Sequence, residues 1–205
     1  MSAPINKVKE WRLESGVTAQ EYAKTPYRFK GINEAKKNLL IIPAVSSDRR
    51  KYIPIGFLDA DTIVTDLALM ILDPEPYVMG IITSKMHMVW VDTLAGRLGT
   101  GYRYSSGVCY NTFPFPNLRD KQKQTVTTHV YNVLEEREMH SDRTLAQLYD
   151  PDKMPDGLRQ AHHDLDIAVE RCYRSKPFTS DEERLEYLFK LYEEMTAKEK
   201  SGDLL

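Results

Sequence analysis

A change of sequence grammar near Asn117 constrains this chain more than any single motif. Beyond it, apolar residues recur at helical spacing. DKQKQTVTTHVYNVLEERE places Val126, Val130, Val133 and Leu134 on one face. LRQAHHDLDIAVERCY does the same with Leu158, Ala161, Leu165, Ala168, Val169 and Cys172. SDEERLEYLFKLYEEM aligns Leu185, Leu188, Phe189, Tyr192 and Met195 behind a Ser180/Glu183 capping box. A short helix, TLAQLYD, lies between the first two, and Met154-Pro155 starts the longer one afresh. Three one-faced helices can bury one another or cover a neighbouring domain.

Before Asn117 the apolar runs are shorter and broken by proline and glycine. LLIIPAV (residues 39–45) and YIPIGFL (residues 52–58) read as strands confined by their prolines to edges or bent ends. DTIVTDLALMIL (residues 61–72) reads as two short strands around a turn at Thr65-Asp66. Pro74 and Pro76 open a helix in which Met79, Ile82, Met86, Val89 and Trp90 share a face. SGVCYNTFP reads as a closing strand. At the front, NKVKEWRLESG and TAQEYAKTP read as short helices, the second capped by Thr18 with Glu21 three residues on. The expected fold class is α+β: a mixed small β-sheet domain with packed helices over residues 1–118, then an all-α helical domain over residues 119–205.

Composition narrows the setting. Cys109 and Cys172 match no zinc or CxxC spacing, so both are expected to be reduced core residues in a cytoplasmic protein. No apolar run is long enough to span a bilayer. The net charge of −2 hides an asymmetry. Residues 1–118 carry 14 Lys and Arg against 11 Asp and Glu, whereas residues 119–205 carry 14 against 19. Contact with a polyanion therefore belongs to the first part.

Two segments there combine cations with small residues. Ser46-Ser47-Asp48-Arg49-Arg50-Lys51 has the makings of a phosphate clamp, with hydroxyls and three consecutive cations; its plain alternative is a solvated hairpin turn. GRLGTGYRYSSGVCYNTFPFP (residues 96–116) spaces Arg97 and Arg103 among glycines, with Tyr102, Tyr104 and Tyr110 interleaved. Glycines admit close approach of another polymer, and arginine offers a planar fork of donors to phosphate or guanine. A glycine-rich connection holding a structural arginine is the alternative.

Catalytic and metal signatures are missing from the pattern. The five histidines form no ligand set, and His87 falls on a core helix. Asp59 and Asp61 read as a turn. No glycine-rich loop follows a strand, and no nucleophile has a base nearby. Asn111-Thr112-Phe113-Pro114 lacks the two middle prolines of the Asn-Pro-Pro-Tyr/Phe motif with which adenine methyltransferases hold a flipped base, so it reads as a chain exit.

LLIIPAVSSDRRKYIPIGFLDADTIVTD, GIITSKMHMVW, the 96–116 segment, AQLYDPDKMP, AHHDLDIAVERCY and ERLEYLFKLYEEMT together resemble, in order, the carboxy-terminal portion of the MmeI-like (type IIL/IIG) restriction–modification DNA adenine methyltransferases. The resemblance implies a DNA target-recognition domain up to about residue 118, followed by a helical tail. The nuclease and the S-adenosylmethionine-dependent methyltransferase domain would lie upstream of Met1, in a parent protein from which this chain is cut. The chain itself would be no enzyme and hold no cofactor or metal. Its partners would be double-stranded DNA and the parent's methyltransferase domain, with no membrane. The DNA backbone would be held by Ser46, Ser47, Arg49, Arg50 and Lys51. Base edges would face Asp66, Leu67, Gly99, Thr100, Gly101 and Arg103, with Ala44 a further candidate. Family members often carry a charged pair where this chain has Gly99 and Gly101, so the base pair facing them is expected to go unread or to be read through water. Two rivals remain open on the sequence: an enzyme active in its own right, and a non-catalytic protein-interaction scaffold.

Overall fold

A computed structural model describes residues 3–28 and 34–201. It divides the chain into two compact units, residues 1–35 and 36–205. The first holds helices α1 (Ala3–Leu13) and α2 (Val17–Glu21) and a 3-10 turn at Tyr22–Lys24. The Arg12 guanidinium donates to the carbonyls of Tyr22, Thr25 and Arg28 at 2.8, 3.0 and 2.7 Å, which closes the chain back onto α1. Gly16, rather than Thr18, occupies the α2 N-cap, and no side chain caps it.

The second unit contains two three-stranded antiparallel sheets and six helices among the described residues. The first sheet has the order β3 (Gly56–Asp59), β1 (Asn38–Pro43), β4 (Ala68–Leu72). The second has the order β2 (Val45–Ser46), β6 (Gly101–Arg103), β5 (Gly96–Leu98). LLIIPAV thus yields two strands, one in each sheet. Proline trims the second predicted strand: Tyr52 to Ile55 lie outside the ladder, and only Gly56–Asp59 pairs with β1. Residues 61–72 form one strand instead of two, because the run before the Asp66-Leu67 turn finds no partner strand. SGVCYNTFP is no strand. Ser106–Tyr110 winds into a single π-helical turn, with Ser105 Oγ accepting from Val108 N.

The predicted core helix is broken at Ser84 into α3 (Pro76–Thr83) and α4 (Lys85–Leu94), both largely buried. The tail follows the period expected of it, as α5 (Asp120–Glu138), α6 (Leu145–Leu148), α7 (Asp156–Tyr173) and α8 (Asp181–Ser201). Ser180 Oγ accepts from Glu183 N at 3.2 Å, the first half of the predicted box. The Glu183 carboxylate takes Thr179 N and Arg174 instead of closing the second half, and these donors pull its pKa down to about 2. No helix among the described residues is long and apolar enough to cross a membrane.

Strand-bearing and helical parts share one core. Leu40, Ile42, Ile53 and Ile55 join Met79, Ile82 and Trp90, and these join Val126, Val130, Leu158, Leu165 and Leu188. Trp90 meets Phe189 and Tyr192 of α8 at ring-centroid distances of 5.3 and 5.8 Å. Gly80 sets how closely α3 approaches the tail. A Cβ there would stand 2.5 Å from Val126 Cγ1 and 2.9 Å from Val130 Cγ2. Gly80→Ala is expected to lower stability by about 1–3 kcal/mol through overpacking, despite the better helix propensity of alanine. Equilibrium urea unfolding checks it, and an unchanged midpoint would refute the close approach.

Candidate nucleic-acid interface

Ala44 belongs to both sheets. Its N–H donates to the Leu67 carbonyl at 3.0 Å, continuing the β1–β4 ladder, while its own carbonyl accepts from Tyr104 N at 2.9 Å beside β6. The next residues carry on the second ladder, Val45 opposite Arg103 and Ser46 opposite Tyr102. The Asp66-Leu67 turn and Arg103 therefore flank the same stretch of backbone. Asp66 and Leu67 are exposed.

Alternation along β6 sorts its side chains. Tyr102 and Tyr104 point inward: the Tyr102 hydroxyl donates to Asp92 Oδ1 at 2.9 Å, and the Tyr104 hydroxyl lies 2.9 Å from His87 Nε2. Burial and the Asp92 carboxylate push the Tyr102 pKa up to about 12. Burial holds His87 neutral, with its pKa lowered to about 3. Arg103 points outward, and its guanidinium has no hydrogen bond or ion pair among the described residues. Arg97 is already occupied. It lies 4.6 Å over the Tyr102 ring and donates to the carbonyl and carboxylate of Asp92, both at 3.0 Å.

Gly99 and Thr100 form the two-residue tip between β5 and β6. Gly99 has φ +61, the sign that a hairpin turn asks of glycine. Gly101 is glycine for another reason, since a Cβ there would sit 2.8 Å from the Ser46 carbonyl oxygen.

The basic segment is not a hairpin turn. It carries the chain from β2 in the second sheet toward β3 in the first. Ser46 is buried, and its hydroxyl has no hydrogen-bond partner among the described residues. Ser47 closes the turn, with Oγ accepting from Arg49 N at 3.3 Å and the carbonyl from Arg50 N at 3.2 Å. Arg49 pairs with Asp152 at 2.8 Å; both side chains are about 70% exposed, so water competes for the pair. Arg50 reaches the Ala146 carbonyl at 3.5 Å, and Lys51 lies 5.2 Å from the Tyr52 ring centre. A cleft of about 360 Å³ next to this segment also holds Asp48, Asp92, Asp181 and Glu182, so it is electrically mixed.

Beneath the segment runs a polar network that pattern reading missed. The Tyr52 hydroxyl donates to Asp166 Oδ2 at 2.7 Å, and Lys85 N donates to Oδ1 at 2.6 Å. The Tyr52 ring stacks on His162 at 4.2 Å. His162 Nε2 lies 2.6 Å from the Tyr149 hydroxyl, which accepts from the Arg137 guanidinium. Arg137 Nη1 donates to the Ile55 carbonyl at 2.8 Å. Because Arg137 fills the lone pairs of the Tyr149 oxygen, that hydroxyl donates to a neutral His162. Burial and the Arg137 charge hold the His162 pKa well below its usual value, and burial raises Asp166 to about 6. The sequence signal was faint: His162 and Asp166 are four apart on the α7 face of Leu158, Leu165 and Val169. No group of three metal-ligating side chains occurs among the described residues.

Two small antiparallel sheets packed on helices, followed by an all-helical region, match the class of a DNA target-recognition module with a helical C-terminal domain. The chain belongs to the MmeI family: residues 1–117 match the model for the MmeI target recognition domain and residues 118–199 that for the MmeI C-terminal domain. It is 49% identical over 176 residues to DNA methyltransferase A of Bacillus subtilis (strain 168), a match covering 86% of this chain and 20% of that protein. It superposes with a TM-score of 0.84 and 37% identity on the type IIL restriction-modification enzyme MmeI in complex with DNA, over 95% of this chain and 26% of that one. The chain thus spans about a fifth to a quarter of the length of these relatives.

Asp166→Ala is expected to cost about 1–3 kcal/mol by leaving the Tyr52 hydroxyl and Lys85 N–H unsatisfied. The histidines set a separate pH dependence. The folded pKa values of His87 and His162 lie below their unfolded ones, so the unfolded chain binds more protons beneath about pH 6.5. Their contribution is fully present above that pH and is lost as pH falls, for His87 toward about 3. Asp166, raised to about 6, acts in the opposite sense between pH 4 and 6, one group against two. Thermal melting from pH 8 to 4 should show falling stability, with a shallower fall in His87→Gln; a flat profile would contradict neutral burial of both rings.

Proposed function

We propose that this chain reads DNA sequence for a methyltransferase of a restriction–modification system. Its parent would transfer a methyl group from S-adenosylmethionine to adenine N6, with a fused nuclease, in the cytoplasm. The observation that carries the reading is the register of Arg103: an outward, uncommitted guanidinium opposite Val45, on the strand that leads directly into Arg49, Arg50 and Lys51.

Arg103 offers a bidentate fork to a purine edge in the major groove, and Asp66 an acceptor for a cytosine amino group. Ser47, Arg49, Arg50 and Lys51 hold phosphates beside it, contacts that fix register without reading sequence. Phosphate displaces Asp152 from Arg49, since that exposed pair is worth little. Leu67 at one end of β6 and Gly99, Thr100 and Gly101 at the other would face further bases, where the glycines contribute clearance rather than readout. Residues up to 118 serve recognition. Residues beyond it hold the basic segment from below through Arg137, Tyr149, His162 and Asp166, and meet the parent's methyltransferase domain.

Duplex binding by the full chain, measured against salt, tests this. The log–log slope should approach −0.9 for each phosphate neutralised. Lys51→Ala should weaken all duplexes alike and reduce the slope by about one phosphate. Arg103→Ala should cost about 1–3 kcal/mol on the preferred duplex and relax the preference. A protein-interaction scaffold would show no sequence preference, and salt-insensitive or absent duplex binding would end the proposal.

A further inference from the structure

Residues opposed across antiparallel strands direct their side chains to the same side. Arg103 is opposed by Val45 on one flank and by Gly96 on the other, and Gly101 by Leu98. Val45, Arg103 and Leu98 therefore share the face turned away from the buried Tyr102 and Tyr104. Val45 is 49% exposed and Leu98 is 59% exposed, an arrangement that gains nothing from water. The two opposing glycines add no side chains, so the aliphatic groups stand clear on an otherwise bare sheet.

The charge at the centre of this face says what covers it. Arg103 has no counter-ion among the described residues, so the covering surface must offer acceptors beside an apolar patch. A purine edge followed by the C5-methyl of a thymine in the next base pair has that composition. Val45 stands directly opposite Arg103 on the adjacent strand, about 5 Å away, so the two side chains can reach neighbouring base pairs of one groove.

We propose that Val45 is a specificity-determining residue that seats its branched side chain against the C5-methyl of a thymine next to the purine contacted by Arg103, with Leu98 extending the same apolar face. The inference rests on the DNA-recognition reading above and adds to it the identity of a neighbouring base. It involves no bond making, only exclusion of water between a methyl group and an isopropyl group.

The test begins with selection of preferred duplexes from a random pool by the full 205-residue chain. Each thymine of the selected duplex is then replaced in turn by dU, which lacks the C5-methyl and keeps the Watson–Crick edge. One thymine, adjacent to the Arg103-dependent purine, should lose about fourfold in affinity on replacement. Val45→Ala should show that loss with thymine already present and no further loss with dU. Val45→Thr, which keeps a branched methyl, should retain sensitivity to dU. Thermal melting of each variant confirms folding, which an exposed side chain should leave intact.

Uniform tolerance of dU, or sensitivity to dU that survives in Val45→Ala, overturns the inference. If sequence selection and the Arg103→Ala effect persist in that case, the recognition reading stands without it. If the chain selects no duplex and binds none in a salt-dependent way, the recognition reading fails and the inference falls with it.

Discussion

The buried chain of polar contacts from Arg137 through Tyr149 and His162, with Tyr52 stacked on the imidazole and bonded to Asp166, is the constraint on which the presentation of the candidate interface depends. It joins the connection between the two sheets to α4, α5 and α7. A buried charge without partners is expensive, so each member is tolerable only because the others are in place. Arg137 illustrates this: it is almost fully enclosed, yet three of its nitrogens have acceptors. An arrangement satisfied in this way has few alternative geometries. It fixes where residue 52 lies, and hence where the three cations preceding it emerge.

That dependence changes how the two parts of the chain relate. The two three-stranded sheets have strands of only two to six residues, and their buried side chains lie in the same core as the helices. The second sheet bonds to α4 through Tyr102 and Tyr104, and buried residues of both sheets share one core with α3, α4, α5, α7 and α8. The acidic tail thus acts as foundation for a basic rim. Its own exposed acid, Asp152, reaches that rim through a pair weak enough to exchange.

Legibility in the sequence followed the range of the interactions involved. Helical period is local, so Val126, Val130, Leu158 and Leu165 announced α5 and α7 without help from the rest of the fold. Strand pairing is not local. The run before Asp66 has strand composition but no partner, and Pro54 removes a donor from a run that otherwise alternates well. SGVCYNTFP coils because Ser105 caps it and Asn111 N–H closes it on the Ser106 carbonyl, choices that composition leaves open. The candidate site was legible as a set of residue types: arginine among glycines, cations after serines. Which arginine is uncommitted was not legible, because Asp92 claims Arg97 directly across the start of the second sheet. The Tyr52–Asp166 contact joins residues 114 positions apart, and no short-range pattern encodes it.

Glycine at position 101 shows how tightly reading and holding are coupled in this fold. The Ser46 carbonyl lies where a side chain at 101 would begin, so β2 can approach β6 this closely only beside glycine. A larger residue there requires β2 to move outward. Val45 and the turn that carries Arg49 to Lys51 would move with it, since they are the same strand and its direct continuation. Position 101 therefore sets the spacing between the strand that bears Arg103 and the segment that carries the cations. A side chain at 101 demands compensating change at Ala44, Val45 or Ser46. Those are the residues through which the second sheet is tied to the first.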